Sequence, residues 1–404
     1  MTPWAEKKVG DLIDGLTAGV SVRSRDGDLS RPAVLKTSAV ANGRVDFRET
    51  KAIVAADVSR AKCAPVRGSI VISRMNTPAL VGAVGYVETD EPGVFLPDRL
   101  WLARGRRTAS MDMRWLNYAL GFGDVATSVR ELATGTSNSM KNIPKARLLE
   151  FSLLVPSPEE QRAISSVLVD VDGLIASLER LIAKKKEINQ GLMQTMLTGA
   201  TRLAGFGTPW SVRRIHEVLA PRSELNVSGE SLEVLSCTKH EGFVRSLDYF
   251  KNQVFSRDLS SYRVIRRGDI GYPANHIEEG SIGVQEIYDR AVVSPIYVVM
   301  YPIGGNDSFF LQRQMKLESF RQKFARVMNA SVDRRGSLRW KEFSQIEVQV
   351  PDLDEQYAIS RVLRDADNEI AALERRLASA RAIKHGMMQE LLTGRTRLTE
   401  EGAT

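Results

Sequence analysis

The sequence predicts an α+β protein. It would contain two globular α/β-mixed blocks, separated by two long helices packed as an antiparallel coiled coil with pseudo-two-fold symmetry. Three observations carry this prediction. QTMLTGATRL (194–203) returns as QELLTGRTRL (389–398), 195 residues later in a chain of 404. VPSPEEQRAISSVLVDVDGLIASLER (155–180) aligns without a gap on VPDLDEQYAISRVLRDADNEIAALER (350–375), and about half of the positions from Val155 to Leu203 are identical to their partners. Each repeat follows a block unlike the other, although TPWAEKKV (2–9) resembles TPWSVRRI (208–215). Two copies are too few for a solenoid, so they point to a two-fold arrangement.

In chain order this gives a block over 1–156, a helical segment over 157–203, a second block over 204–351 and a second helical segment over 352–404. In the first block PVRGSIVISR (65–74) places a basic residue and a glycine before an apolar run, a turn followed by a strand. MRWLNYALGF (113–122) has helical periodicity, and the polar loop ATGTSNSMKN (133–142) follows. In the first helical segment Ile164, Leu168, Val171, Ile175, Leu178 and Ile182 alternate steps of four and three, the period of a coiled-coil seam. Ser157 is suited to cap this helix, Pro158 to its first turn, Glu160 to a capping box and Gly199 to its C′ position.

The second half repeats this order. VIRRGDIGYP (264–273) and AVVSPIYVVMYP (291–302) are strand candidates, FFLQRQMKLESFRQKFARVM (309–328) a helix and NASVDRRGSLR (329–339) a polar loop. The second seam is Ile359, Leu363, Ala366, Ile370, Leu373 and Leu377, with Asp352, Glu355 and Gly394 at the terminal positions. Each helix would run about 40 residues, roughly 60 Å. Neither can bury its seam alone, so packing one against the other is the economical solution. Gly191 and Gly386 occupy equivalent helical places, either as tolerated glycines or as points of close helix approach.

Composition narrows the function. The apolar fraction of 43% and charged fraction of 26% are those of a soluble globular chain. No apolar run is long enough to cross a membrane and no secretory leader is visible at the N-terminus. Two cysteines, Cys63 and Cys237, read as reduced thiols of a cytoplasmic protein. Four scattered histidines and no C-x-x-C give no metal site, and no cofactor motif appears. There is no G-x-x-x-x-G-K-[ST], no N-P-P-Y or D-P-P-Y, and no spacing that argues a hydrolase, so the chain reads as a non-enzyme. The net charge is +7: residues 1–158 carry +6 and 204–351 carry +3, the helices are neutral, and the tail residues Glu400 and Glu401 carry −2, so the positive excess lies on the blocks. A polyanion would be held there, although ordinary surface arginine gives the same excess.

The duplicated layout resembles the specificity subunit of type I restriction–modification systems. PSPEEQRAI and PDLDEQYAI resemble that family's entry into each conserved helix, and the LLTG ending of the second copy, MLTG in the first, fits. GSIVISRMNTPALVG (68–82) resembles a recurrent target-recognition segment, with Ser69 where Asp is common and Thr77 where Ser is common. RRGDIGYPAN with VVSPIYVV resembles another version. The resemblance spans nearly the whole chain. It implies that the blocks are target-recognition domains, each reading half of a bipartite, asymmetric site on double-stranded DNA. The helices would set the spacing and dock two methyltransferase subunits, with motor-nuclease subunits joining in the full complex.

Arg and Asn suit guanine and adenine edges respectively. The candidate readers in the first block are Arg74, Asn76, Ser137, Asn138, Lys141 and Asn142; in the second they are Asn275, His276, Asp333, Arg334, Arg335 and Arg339. Arg74 and Asn76 read equally well as a structural turn, and each polar loop as a plain turn. Lys36, Arg104, Arg106 and Arg107 read as phosphate contacts or solvated charge. Two alternatives stay open: the recognition subunit of a related system with one fused nuclease–methyltransferase partner, and a coiled-coil scaffold that does not bind DNA.

Overall fold

The computed structural model describes residues 3–28, 30–135, 140–275, 277–330 and 337–398. The chain divides into two compact units, Met1–Glu179 with Arg376–Thr404, and Arg180–Arg375. Each unit holds one block together with the beginning of one long helix and the end of the other. The helices themselves are Pro158–Met196 and Leu353–Leu391, 39 residues each, close to the predicted 40.

In the first unit a six-stranded sheet runs in the order Ile13–Ala18, Leu100–Gly105, Ile70–Ser73, Val84–Tyr86, Gly43–Val45, Val40–Ala41. Ile70–Ser73, predicted as a strand, is buried at all four positions, which is why it reads as a continuous apolar run rather than an alternation. Gly68 precedes it at φ +83°, a conformation that favours glycine in the turn. A smaller four-stranded sheet carries Ala33–Leu35 and Thr50–Ile53, and Met75–Asn76 pairs with Lys141–Asn142 as a short ribbon. The predicted helix over 113–122 is Met113–Leu120. At the foot of the block Ala5–Lys8 pairs antiparallel with Ser152–Val155.

The second unit repeats the foot, with Ser211–Arg214 against Glu347–Val350. Its four-stranded sheet is ordered Leu219–Pro221, Tyr297–Pro302, Ile270–Pro273, Gly283–Val284. The strand candidates at 264–273 and 291–302 each divide in two, giving Arg263–Arg266, Ile270–Pro273, Arg290–Val293 and Tyr297–Pro302. The single helix expected over 309–328 is instead Ser308–Met315 followed by Glu318–Ala330. No glycine or proline marks that break. The first helix ends at Lys316, whose amide donates to the carbonyls of Gln312 and Arg313.

Within each unit the halves of the long helices lie antiparallel. In the first, Lys384 meets Asp172 at 2.8 Å and Arg381 meets Glu179 at 2.7 Å. In the second, Asn189 donates to Asp367 at 2.8 Å and Lys186 meets Glu374 at 2.7 Å, the 195-residue equivalents of the same pairs. Ile164, Leu168, Ile175, Leu178, Ile182, Ile359, Leu363 and Ile370 of the expected seams are all buried. Two details differ from expectation. Nothing lies within 4 Å of a Cβ built on Gly191 or Gly386, so these glycines do not mark close helix approach. The capping boxes are also half formed. The Glu160 amide donates to Ser157 Oγ and the Glu355 amide to Asp352 Oδ1, but both glutamate side chains serve other partners.

Candidate nucleic-acid interface

Those partners fix each block to its helices. In the first unit Arg397 donates to both Glu160 oxygens at 2.6 and 2.8 Å, and the Trp4 indole donates to the same carboxylate at 3.1 Å. In the second Arg202 grips Glu355 at 2.6 Å through two nitrogens, with the Trp210 indole at 3.2 Å. Gly394 and Gly199 take φ near +71° and +72°, and a Cβ on either would come within 3.3 Å of the corresponding tryptophan ring. Each stands one residue beyond the expected C′ position, three after the last helical residue, and the close approach adds to its left-handed φ as a reason for glycine.

A second repeated joint ties a short helix of each block to its long helix. Asp112 caps Met113–Leu120 and accepts from Ser165 Oγ at 3.1 Å, and its own amide donates to Gln161 at 2.9 Å. Asp307, Ser360 and Gln356 repeat the arrangement, at 2.6 Å for the hydroxyl and 3.0 Å for the amide. Trp115 and Phe310 stand at equivalent places edge-on to Trp4 and Trp210. Tyr118 and Arg313, also equivalent, both donate to the helix aspartates Asp172 and Asp367. Burial first, and then Asp172, raises the Tyr118 phenol far above its ordinary range, so it remains a donor. Sequence reasoning read the Trp and Arg only as repeated letters and the Glu as a capping-box residue, although their joint repetition was the available signal.

In the first block Arg74 is half-buried. Its guanidinium lies 5.4 Å from the centre of the Trp101 ring, and Nε donates to Asn142 Oδ1 at 3.3 Å. These contacts restrict the side chain before any ligand arrives. Asn76 is 8% exposed, donates to Ser73 Oγ at 3.1 Å and accepts from the Thr77 amide at 2.8 Å, the bonds of a structural turn. Lys141 Nζ donates to the Gly135 carbonyl at 2.6 Å, and the Asn142 backbone pairs with Thr134. Arg74, Asn76, Lys141 and Asn142 thus share one short ribbon.

Among the candidate phosphate contacts, Lys36 is paired with Asp26 at 3.0 Å and Glu49 at 3.7 Å. Arg106 donates to the Gly10 and Ile13 carbonyls, whereas Arg104 and Arg107 are exposed near it. Ser69 Oγ donates to the Val66 carbonyl at 2.5 Å. At the corresponding turn Asp269 accepts the Arg266 amide at 2.8 Å and binds Arg222 at 2.5 and 2.9 Å. One turn is therefore closed with either polarity.

In the second block Asn275 and Arg339 line one cleft of about 750 Å³. Arg222, Tyr297, Trp340 and Lys341 line it too and were not singled out from the sequence. The basic–aromatic–basic order of Arg339, Trp340 and Lys341 was the signal available. Ser137, Asn138, His276, Asp333, Arg334 and Arg335 lie outside the described residues.

Cys237 is buried and its thiol is pushed up to about 12 by burial, so it stays protonated; Cys63 is raised for the same reason. Among the described residues no cluster of three or more His, Cys, Asp or Glu side chains is placed to hold a metal, and no helix is long and apolar enough to cross a membrane.

The class defined by these features is a two-block protein in which one duplicated framework carries two unlike, basic heads. No family model matches the chain. It is 19% identical to the putative type I restriction enzyme MjaX specificity subunit of Methanocaldococcus jannaschii, across 98% of this chain and 94% of that protein. It is 21% identical to the type I restriction enzyme MjaVIII specificity subunit of the same organism, across 71% of each. The fold matches the S subunit of a type I restriction–modification system from M. genitalium, with a TM-score of 0.60 at 16% identity, covering 97% of this chain and 99% of that one. A structure describing complex assembly and conformational transition of the type I R-M system contains a chain that matches at 0.53 and 17% identity, covering 97% and 98%. The HsdS subunit of Thermoanaerobacter tengcongensis matches at 0.50 and 17%, covering 98% and 97%. The chain is similar along its length to specificity subunits of type I restriction enzymes, and it carries the fold of solved S subunits.

Proposed function

We propose that this chain is the non-catalytic, sequence-specific DNA-recognition subunit of a cytoplasmic type I restriction–modification complex. Residues 1–156 and 204–351 act as target-recognition domains, and 157–203 and 352–404 as spacers forming an antiparallel coiled coil. Each domain reads one half of a bipartite site on double-stranded DNA. Two methyltransferase subunits dock on the helices and domain flanks, and motor-nuclease subunits complete the assembly. The observation that carries this reading is the repeated joint, Trp–Glu–Arg and Asp–Ser–Gln, which presents two dissimilar blocks in the same way. Dissimilar blocks on like mounts imply unlike half-sites at a fixed separation.

The reading roles of Arg74, Asn76, Ser137, Asn138, Lys141, Asn142, Asn275, His276, Asp333, Arg334, Arg335 and Arg339 belong to this proposal, with Lys36, Arg104, Arg106 and Arg107 as phosphate contacts. Within it, Arg74 is best suited to a guanine edge, because Trp101 and Asn142 already restrict its guanidinium. The bonds of Asn76 support its action through the turn.

DNA affinity measured against salt tests the proposal. A DNA reader gives log affinity falling linearly with log salt, because phosphate contacts release counterions. A scaffold without DNA affinity gives neither salt dependence nor sequence preference. Copurification of separate methyltransferase and nuclease subunits, rather than one fused partner, distinguishes type I from the related arrangement.

A further inference from the structure

The two blocks differ at one equivalent place in a way that changes what each can bind. In the first block Trp101 pairs with Ile72 across two strands, and Arg74 follows two residues after Ile72, its carbonyl accepting the Ile143 amide. In the second block Val298 pairs with Tyr272, and Ala274 follows, its carbonyl accepting the Leu338 amide. The stacked arginine and tryptophan of one block are thus alanine and valine in the other. Where those large side chains would stand, the second block has the cleft of about 750 Å³. That volume lies in the range of roughly 300–1,000 Å³ typical of pockets that enclose small organic groups.

Elements that read a duplex from its groove are convex, because they must enter a channel about 12 Å wide. A concavity of this size cannot enter, but it can receive a group turned outward. Its wall includes the half-buried Trp340; Tyr297 also borders it, but the Tyr297 ring is packed in the core against Phe243 with its hydroxyl accepting the Cys237 amide at 2.9 Å. Arg222 also lines it, stacked 4.8 Å from the Tyr301 ring centre and fixed by Asp269. Asn275 contributes an amide, and Arg339 and Lys341 are exposed cations on the same segment as Trp340. An aromatic wall, an amide and cations are the chemistry that holds an unstacked base and its phosphate.

We propose that the cleft of the second block receives one unpaired DNA nucleotide, its base against Trp340 and its phosphate on Arg339 and Lys341. This inference rests on the DNA-recognition reading, and within it moves Asn275 and Arg339 from reading a paired base edge to holding the unpaired nucleotide. Duplexes carrying a single unpaired 2-aminopurine nucleotide, and fully paired duplexes of the same length, are titrated against the full chain with its copurifying subunits. The expected result is binding of the unpaired nucleotide about tenfold tighter than the paired control, with quenched emission as the base stacks. Ala274→Arg combined with Val298→Trp, which imports the first block's side chains, abolishes that preference. R339A with K341A, which alters only exposed side chains, reduces it and decides the matter should the first variant fail to fold. Equal binding of both duplexes, or a preference that survives the variants, overturns the proposal and leaves DNA recognition standing. Failure to bind any duplex at low salt overturns the recognition reading, and this inference with it.

Discussion

Glu355 has no solvent exposure and Glu160 is 5% exposed, so each carboxylate depends on its arginine and tryptophan. Removing the arginine strands a buried charge, which costs about 3 kcal/mol. R202A and R397A are expected to lower stability in urea by that amount, and by similar amounts because the joints are equivalents; a loss below about 1 kcal/mol in either would show that the indole alone suffices. At Asp57 the effect depends on pH. A side-chain hydrogen bond from Arg23, followed by the Arg23 amide, holds its carboxyl at about 2. Since the unfolded value is about 3.9, this stability is complete above about pH 4 and lost as pH falls towards 2. The advantage of wild type over Asp57→Asn should therefore shrink across that window. A difference independent of pH would contradict the assignment.

The long helices carry the largest repeated apolar faces. Leu168 is fully buried and Leu363 is 1% exposed, at the same seam position in each unit. Leucine to alanine at either is expected to cost about 3 kcal/mol, read from urea midpoints; near-neutral variants would place the seams outside the core. These helices were legible in the sequence because their signals are local: a heptad period, an N-cap and a glycine just past the end. Glu160 and Glu355 were misread because a local capping pattern and a long-range ion pair ask for the same residue. The break near Lys316 was not legible, since it has no glycine or proline and lies among residues packed by the rest of the unit. The split of 264–273 into two strands had a visible cause in Gly268, whose φ is +86°. Strand order was not legible, because it depends on pairings between distant segments, such as Val84–Tyr86 lying parallel to Gly43–Val45.

At the scale of the molecule, duplication was the clearest signal, and it led to the S-subunit fold through the letters that form the joints. The candidate interface was only partly legible. Asn142 and Arg74 were identified and do touch, but Trp101, which orders Arg74, was missed because a buried strand tryptophan looks like core. Lys36 was identified by charge, yet Asp26 and Glu49 balance that charge in the fold. The contrast between Arg74 and Ala274 required both strand registers before it could be seen. Unlike blocks on equivalent mounts commit the account to an asymmetric, divided target. Single-molecule sequencing of methyladenine in a host expressing this chain with its partner subunits reads that target directly. The expected result is one motif of two unlike half-sites separated by a constant number of unspecified base pairs. A continuous motif, two identical half-sites, or methylation without any motif would contradict the account.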